Sequence, residues 1–119
     1  MRVVYASRTG NVESIVSKLN VSNPLRIDDG SETINEDYIL FTYTDGYGDT
    51  PQEVEEFLSN NSNYLKGVIA SGDTEYVEAF CKSGDNISEQ YNVPFLYKVE
   101  NAGTQDDFLS IRKILSDKA

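Results

Sequence analysis

The 119-residue chain contains no histidine, no tryptophan and only one cysteine, Cys81. Without histidine it cannot assemble a Ser-His-Asp or Cys-His catalytic centre from its own residues, and it lacks the commonest side-chain ligand of transition metals. A lone cysteine forms neither an internal disulfide nor a Cys-x-x-Cys redox pair, and its neighbours favour a small buried hydrophobe over a nucleophile. We therefore expect any redox chemistry to come from a bound cofactor.

Basic residues and long apolar runs are scarce as well. Ten Lys and Arg stand against twenty Asp and Glu, which gives a formal net charge of −10. Because nucleic-acid binding depends on neutralising phosphates with clustered basic groups, no nucleic-acid partner is expected. No run approaches the roughly 18 apolar residues of a membrane span, and the first residues read as a strand instead of a signal peptide. The sequence predicts a cytoplasmic protein that does not enter the membrane.

Short apolar runs, which are typical of buried strands, alternate with helical patterns along the chain. Five strands are predicted, at "RVVYA", "NPLRI", "DYILFTYT", "LKGVIASG" and "VPFLYKV". Strands separated by helices imply right-handed βαβ crossovers. We therefore predict a single α/β domain over residues 1–119, a flavodoxin-like three-layer sandwich whose parallel sheet has the strand order 2-1-3-4-5. Ligands of such sheets bind outside the carboxyl ends of the strands, where the order reverses between the first and third strands.

Helices are expected between and after the strands. Pro51 is predicted to lie in the first turn of the second helix, with Asp49 or Thr50 as its cap. The third helix, drawn from "YVEAFCKSGDNISEQY", is expected to be broken or frayed around Ser83–Gly84. The other helices carry apolar residues at core spacing: Val12, Ile15, Val16 and Leu19, then Val54, Phe57 and Leu58, and finally Phe108, Ile111 and Leu115.

The loop after the first strand contains Ser7, Arg8, Thr9, Gly10 and Asn11. Ser7 and Thr9 offer hydroxyl donors, Gly10 allows close approach to the backbone, and the N–H groups that begin the next helix attract anions. Arg8 could add positive charge, although it is expected to point outward. Neither a GxxxxGK[ST] phosphate loop nor a dinucleotide fingerprint is present. Taken alone, the loop is either a capped turn or a phosphate site.

Two further loops are expected at the same end of the sheet. Tyr47 and Tyr76, one in each loop, could flank a flat aromatic ligand or could simply fill surface. Two glycines around Tyr47 allow backbone conformations that other residues avoid. The candidate binding residues in these loops are Thr44, Asp45, Gly46, Tyr47, Gly48 and Asp49, followed by Ser71, Gly72, Asp73 and Tyr76.

Several stretches together resemble the flavodoxin superfamily, and more closely its small NrdI branch, which is associated with class Ib ribonucleotide reductase. They are "YASRTGNV", "ILFTYTDGYGDTPQEVEEFL", "LKGVIASGD", "NISEQYNVPFLYKVE" and "AGTQDDF". These stretches cover most of the chain in the right order, and the pattern TYTxGxGxxPxxVxxFL is specific to the small branch. The chain departs from its relatives at "SGDTEYV", where a different aromatic loop is usual.

The resemblance implies that the chain binds FMN. The phosphate would rest on residues 7–11, and the isoalloxazine would lie between residues 44–49 and 71–76, with Phe80 completing the binding set. The Gly46–Tyr47 peptide would turn its carbonyl toward flavin N5–H upon reduction. No side chain is expected to act as a catalytic group or as a metal ligand.

The resemblance also implies an accessory flavoprotein rather than an enzyme. Reduced FMN would react with oxygen and supply superoxide to the dimanganese radical-generating small subunit of the reductase. The electrons would come from a reductase or from a reduced flavodoxin or ferredoxin system. A generic flavodoxin-type electron carrier is the main alternative. A receiver-like signalling domain is a remote one, because Ala6, Ser7 and Arg8 stand where an acidic pair is needed, although Asp45 and Lys98 could fill two other positions of that site.

Overall fold

The computed structural model describes residues 1–45, 48–76 and 79–118. Within these ranges, five parallel strands form one sheet in the order β2-β1-β3-β4-β5, which confirms the predicted fold class. Strands β3 and β4 are almost wholly buried, as their near-continuous apolar sequences predict. The strands are β1 (Arg2–Tyr5), β2 (Leu25–Arg26), β3 (Tyr38–Tyr43), β4 (Leu65–Gly72) and β5 (Phe95–Glu100).

Helices cover both faces of the sheet. Those of the described ranges are α1 (Asn11–Leu19), α2 (Gln52–Asn61), α3 (Lys82–Tyr91) and α4 (Gln105–Lys118), with a short 3-10 helix at Ser62–Tyr64. Helices α2 and α3 contribute to the core on one face, while α1 and α4 contribute to the core on the other. This arrangement gives the predicted three layers. Each of these helices is too short or too polar to cross a membrane.

The start of α3 differs from the sequence prediction. The helix begins at Lys82, so Ser83 and Gly84 lie in its first turn and do not break it. Cys81 occupies the cap position with a left-handed φ of 55°, which separates the preceding turn from the helix. Cys81 is fully buried, and burial raises the pKa of its thiol to about 11, as expected of an unreactive cysteine. The predicted helical positions 77 and 78 lie outside the described residues.

The start of α2 differs as well. Pro51 is the cap residue, with an extended ψ of 142°, and is not in the first turn as predicted. Its carbonyl accepts the first backbone hydrogen bonds of the helix. No side-chain hydrogen bond caps this helix start in the described part of the chain, so the predicted capping by Asp49 or Thr50 is wrong. The backbone of Asp49 is instead paired with that of Asp45, at N···O distances of 2.9 and 2.8 Å.

The loop that joins β2 to β3 folds around the carboxylate of Glu32. The carboxylate oxygens accept hydrogen bonds from the backbone N–H groups of Asp28 (2.8 Å), Gly30 (3.0 Å) and Asp29 (3.4 Å). Gly30 adopts a φ of +94°, and a Cβ at this position would lie 2.5 Å from the Cβ of Glu56, so the turn requires glycine. Burial alone would raise the pKa of Glu32, but the backbone N–H groups outweigh it, and the net pKa lies below its usual value.

We expect Glu32→Gln to lower the free energy of unfolding at neutral pH by about 1–2 kcal/mol, because a neutral amide replaces a charged acceptor of backbone N–H groups. Since the folded pKa is depressed, the ionised carboxylate stabilises the fold above its unfolded pKa and loses this effect as the pH falls through the folded pKa. Urea denaturation should therefore show the wild type and the variant converging as the pH falls below the usual pKa of a glutamate.

Glu36→Gln is the matched control for this change. The Glu36 carboxylate is largely exposed and contacts Arg2 at 3.4 Å, so its removal should change stability by less than about 0.5 kcal/mol. A stability difference between Glu32→Gln and the wild type that stays constant with pH would contradict the role assigned to the Glu32 carboxylate.

Candidate cofactor site

An open cleft of about 370 Å³ lies at the carboxyl ends of the strands. The chain leaves β1 toward the face that carries α1 and leaves β3 toward the face that carries α2, so the cleft sits where the strand order reverses. Its volume is within the range of about 300–1,000 Å³ that is typical of small-molecule sites. The structure brings residues of all three predicted loops to this cleft, whose described lining is Ser7, Arg8, Thr9, Asn11, Val12, Tyr43, Thr44, Ser71, Gly72, Asp73, Tyr76 and Asn101.

The first loop combines a helix cap with the backbone N–H donors that begin α1. The Oγ of Ser7 accepts the backbone N–H of Glu13 at 3.2 Å, so Ser7 satisfies one of the first N–H groups of α1. Gly10 precedes the helix with a φ of +94°, and no atom lies within 4 Å of where its Cβ would be. Glycine is therefore favoured there by backbone conformation and not by lack of space. The N–H groups of Asn11 and Val12 begin the helix and have no acceptor within it.

Arg8 is exposed, as predicted, but it turns toward the third strand and lines the cleft. Its Nη1 donates a hydrogen bond to Oδ1 of Asp45 at 2.8 Å, and its guanidinium carbon lies 5.3 Å from the centroid of the Tyr43 ring. The Tyr43 hydroxyl donates to the carboxylate of Glu53. Burial, together with this hydrogen bond, raises the pKa of Tyr43 well above its usual value. The phenol therefore stays neutral and serves as a hydrogen-bond donor.

The second loop contacts the start of α3. Thr44 lines the cleft, and its Oγ1 lies 2.8 Å from Oγ of Ser83. The Ser83 hydroxyl also lies within hydrogen-bond distance of the Tyr43 carbonyl, at 3.0 Å. Asn86 donates from Nδ2 to the carbonyl of Gly48 at 2.9 Å. These contacts join both sides of the loop to one helix.

Some of the predicted binding residues are not part of the described cleft lining. Asp45 and Asp49 instead border an adjacent depression of about 620 Å³. The predictions for Gly46 and Tyr47, including the turning peptide, fall outside the described residues. The described residues that were predicted for the site but are absent from the lining are Gly10, Asp45, Gly48, Asp49 and Phe80.

The third loop is held to the end of β5. The Ser71 hydroxyl donates to the carbonyl of Asn101 at 2.6 Å, and the N–H of Asn101 donates to the carbonyl of Gly72 at 2.8 Å. Asp73 accepts the N–H of Glu75 on Oδ1 at 2.9 Å. Tyr76 lines the cleft with 44% of its surface exposed. The cleft therefore has two aromatic side chains, Tyr43 at the end of β3 and Tyr76 in the third loop.

Three residues of the lining were not predicted from the sequence. The sequence predicts Tyr43 as part of a strand, and its position directly before the second loop is the signal that it reaches the cleft. The sequence predicts Val12 only as a core residue of α1, and its position at the start of that helix also brings it to the cleft. Asn101 follows β5, whose carboxyl end opens at the same edge of the sheet. No group of three acidic or cysteine side chains suited to a metal ion occurs among the described residues.

The sheet order and the position of the cleft define a flavodoxin-like α/β protein. Solved structures share this fold at low sequence identity. A short-chain flavodoxin associated with a non-canonical PDU bacterial microcompartment is 22% identical with a TM-score of 0.72, over 97% of this chain and 93% of that chain. A metal-soaked Flv1 flavodiiron core from Synechocystis sp. PCC6803 is 16% identical with a TM-score of 0.58, over 99% of this chain and 36% of that chain.

The chain belongs to the NrdI flavodoxin-like family, whose family model matches residues 3–113. The resemblance stated from the sequence is thereby confirmed. The members of this family are FMN-binding flavoproteins, and the family is associated with ribonucleotide reductase. The chain is therefore a flavodoxin-like flavoprotein.

Proposed function

We propose that the chain is an FMN-binding redox accessory protein of class Ib ribonucleotide reductase. The observation that carries this proposal is the composition of the cleft, which combines the N–H groups of a helix start with two tyrosine side chains, one at the end of β3 and one in the loop after β4. Membership of the family supports the same cofactor and the same partner class.

The residues of the cleft fit a phosphate-bearing aromatic ligand. The N–H groups of Asn11 and Val12 lack an acceptor within α1, and the Thr9 hydroxyl lines the cleft beside them. A helix start with such donors attracts phosphate without needing a cationic side chain. In this proposal these groups hold the phosphate, and Tyr43 and Tyr76 border the flavin ring.

The protein contributes binding, orientation and electrostatics, which is the usual division of work in cofactor proteins. Bound FMN would supply the one-electron chemistry that reduces oxygen to superoxide, the oxidant that the small subunit requires to form its radical. Asp73 places a carboxylate on the cleft, whereas the carboxylate of Asp45 is paired with Arg8 at 2.8 Å. Together with the net charge of −10, the Asp73 carboxylate disfavours added negative charge in the cleft and so makes the reduced flavin a stronger reductant.

The proposed protein works in the cytoplasm as an accessory and not as an enzyme in its own right. It receives electrons from a reductase or from a reduced flavodoxin or ferredoxin system and passes them to molecular oxygen. Its excess of acidic over basic residues, twenty against ten, supports docking to partners that present basic surfaces.

We expect Thr9→Val to weaken FMN binding about tenfold, because the change keeps the shape of the side chain but removes a hydroxyl that can donate to a charged phosphate. Thr9 is a cleaner target than Ser7, whose Oγ also caps α1 through Glu13. Fluorescence titration of the apoprotein with FMN gives the dissociation constant. Thr33→Val, at an exposed position between β2 and β3, is the control and should bind as the wild type does. Equal affinities of the two variants for FMN would contradict the assignment of Thr9 to the phosphate site.

The experiment that tests the whole proposal reconstitutes activation from purified components. Reduced, FMN-loaded protein is mixed with the manganese-loaded small subunit of a class Ib reductase, oxygen is admitted, and electron paramagnetic resonance measures the radical formed. We expect a yield several times that obtained with free reduced FMN at equal concentration. If the protein takes up no FMN, the assignment of FMN as its cofactor is wrong. If the FMN-loaded protein gives no higher radical yield than free reduced FMN, the assignment of the reductase subunit as its partner is wrong, and a generic electron carrier is favoured.

A further inference from the structure

Arg8 is the one cationic side chain that lines the cleft among the described residues. Its Nη1 lies 2.8 Å from Oδ1 of Asp45. Arg8 belongs to the loop after β1 and Asp45 to the loop after β3, so the ion pair joins the loops on either side of the point where the strand order reverses. The cation that an anionic ligand of the cleft would meet is thus already paired with a carboxylate.

The ring of Tyr43 supports the guanidinium of Arg8. The guanidinium carbon lies 5.3 Å from the ring centroid, and the ring is itself held by the hydrogen bond from its hydroxyl to Glu53. A planar guanidinium that lies on an aromatic face keeps its N–H donors free to point sideways. Arg8 can therefore turn its donors between Asp45 and a ligand in the cleft while it stays on the ring.

The pair bears directly on which ligands the cleft selects. A phosphate monoester carries about 1.5 to 2 negative charges at neutral pH, and beside the helix N–H groups it would compete for the guanidinium that Asp45 already holds. An uncharged ligand of otherwise equal shape would not enter this competition. The side chains of Arg8 and Asp45 are 59% and 40% exposed, and pairs with this much exposure are weak enough to exchange partners.

We propose that the Arg8–Asp45 pair sets the preference of the cleft for phosphorylated over unphosphorylated flavin, with Asp45 competing against the phosphate for the guanidinium. This inference rests on the proposed function, because it takes FMN as the ligand. Arg8 raises the affinity for the phosphate, Asp45 lowers it, and neither residue acts on the flavin ring in this respect.

Dissociation constants for FMN and riboflavin, measured by fluorescence titration, test this inference. Asp45→Asn should tighten FMN binding about fivefold and leave riboflavin unchanged, since the guanidinium is released for the phosphate. Arg8→Gln should weaken FMN binding about tenfold and again leave riboflavin unchanged. The double variant should resemble Arg8→Gln, because the effect of removing Asp45 requires the guanidinium.

Glu55→Gln is the matched control, since it removes one carboxylate from the depression that Asp45 borders and does not lie on the cleft. It should leave the ratio of the two dissociation constants unchanged, and urea denaturation shows that each variant is folded. An Asp45→Asn effect that persists without Arg8, or that Glu55→Gln reproduces, would overturn the inference as a general charge effect. If the wild type binds neither flavin, the proposed function fails. If the wild type binds FMN and the ratio is the same in all variants, only this inference fails.

Discussion

Asn61→Ala should lower the free energy of unfolding by about 3 kcal/mol, because it leaves several buried backbone groups without partners at once. The side chain of Asn61 is 5% exposed at the end of α2. Its Oδ1 accepts the N–H of Ile34 at 3.1 Å, and its Nδ2 donates to the carbonyls of Glu32 at 2.9 Å and Phe57 at 3.0 Å. Alanine can replace none of these bonds, and those to Ile34 and Phe57 are buried away from solvent.

The expected loss is large because the side chain joins two parts of the fold. Ile34 and Glu32 belong to the loop between β2 and β3, which has no regular secondary structure of its own in the described residues. The Asn61 amide therefore supplies hydrogen bonds that a strand or helix would otherwise supply. The backbone carbonyl of Asn61 also accepts the hydroxyl of Tyr38 at 2.9 Å, and this bond should survive the substitution. The stability loss thus reports the amide alone.

Asn60→Ala is a close control for the Asn61 prediction. Asn60 is the preceding residue on the same helix, is exposed, and makes one long hydrogen bond from Nδ2 to the carbonyl of Glu56 at 3.3 Å. Its truncation should cost less than about 0.5 kcal/mol, as is usual for exposed positions. Urea denaturation monitored by circular dichroism measures both variants. Similar losses at Asn60 and Asn61 would contradict the bridging role of the Asn61 amide.

The strands were predictable because their pattern reflects burial directly. The run "LKGVIASG" coincides with β4, Leu65–Gly72, since a strand covered on both faces is apolar along most of its length, and only Lys66 near its start is exposed. The start of α3 was not predictable from local pattern. Cys81 adopts a left-handed backbone conformation. It packs against the end of β4, where a Cβ on Gly72 would lie 2.8 Å from the Cys81 nitrogen. A contact between residues from two elements decides that boundary, and no periodicity within the helix encodes it.

The location of the candidate site was more predictable than its internal contacts. Loops that follow parallel strands meet at one edge of the sheet, so the convergence of the three loops follows from topology alone. The pairing of Arg8 with Asp45, which are 37 residues apart, depends on where the Tyr43 ring lies, and a single sequence does not contain that information. Asn101 follows β5, and the loop after that strand is not among the three that the sequence predicts for the site.

Gly84→Ala should lower the free energy of unfolding by about 2–3 kcal/mol, although the same change inside a helix ordinarily stabilises it by about 0.5–1 kcal/mol. A Cβ on Gly84 would lie between 2.2 and 2.6 Å from three carbons of the Phe95 ring. The backbone of Gly84 is not left-handed, so helical propensity favours alanine and only packing opposes it. The sign of the measured change therefore decides between the two effects.

The cause of the Gly84 effect can be isolated with a second substitution. Phe95→Leu removes the ring and should itself cost about 1–3 kcal/mol. Adding Gly84→Ala to Phe95→Leu should then cost little or even stabilise, because the space beside α3 is open and the helical preference for alanine remains. A loss of 2–3 kcal/mol from Gly84→Ala that persists without the ring, measured by urea denaturation, would rule out the steric explanation.

Gly84→Ala should also affect ligand binding in the cleft. Ser83 and Asn86, on either side of Gly84, contact the loop after β3 through Thr44 at 2.8 Å and Gly48 at 2.9 Å. If the clash moves the first turn of α3, these contacts lengthen and FMN binding should weaken by about threefold or more, in proportion to the stability lost locally. Phe95→Leu in the same chain should restore the affinity, although it does not restore the stability of the wild type. Recovery of FMN binding by a substitution outside the cleft would show that the packing of α3 against β5 positions the loop beside the cleft.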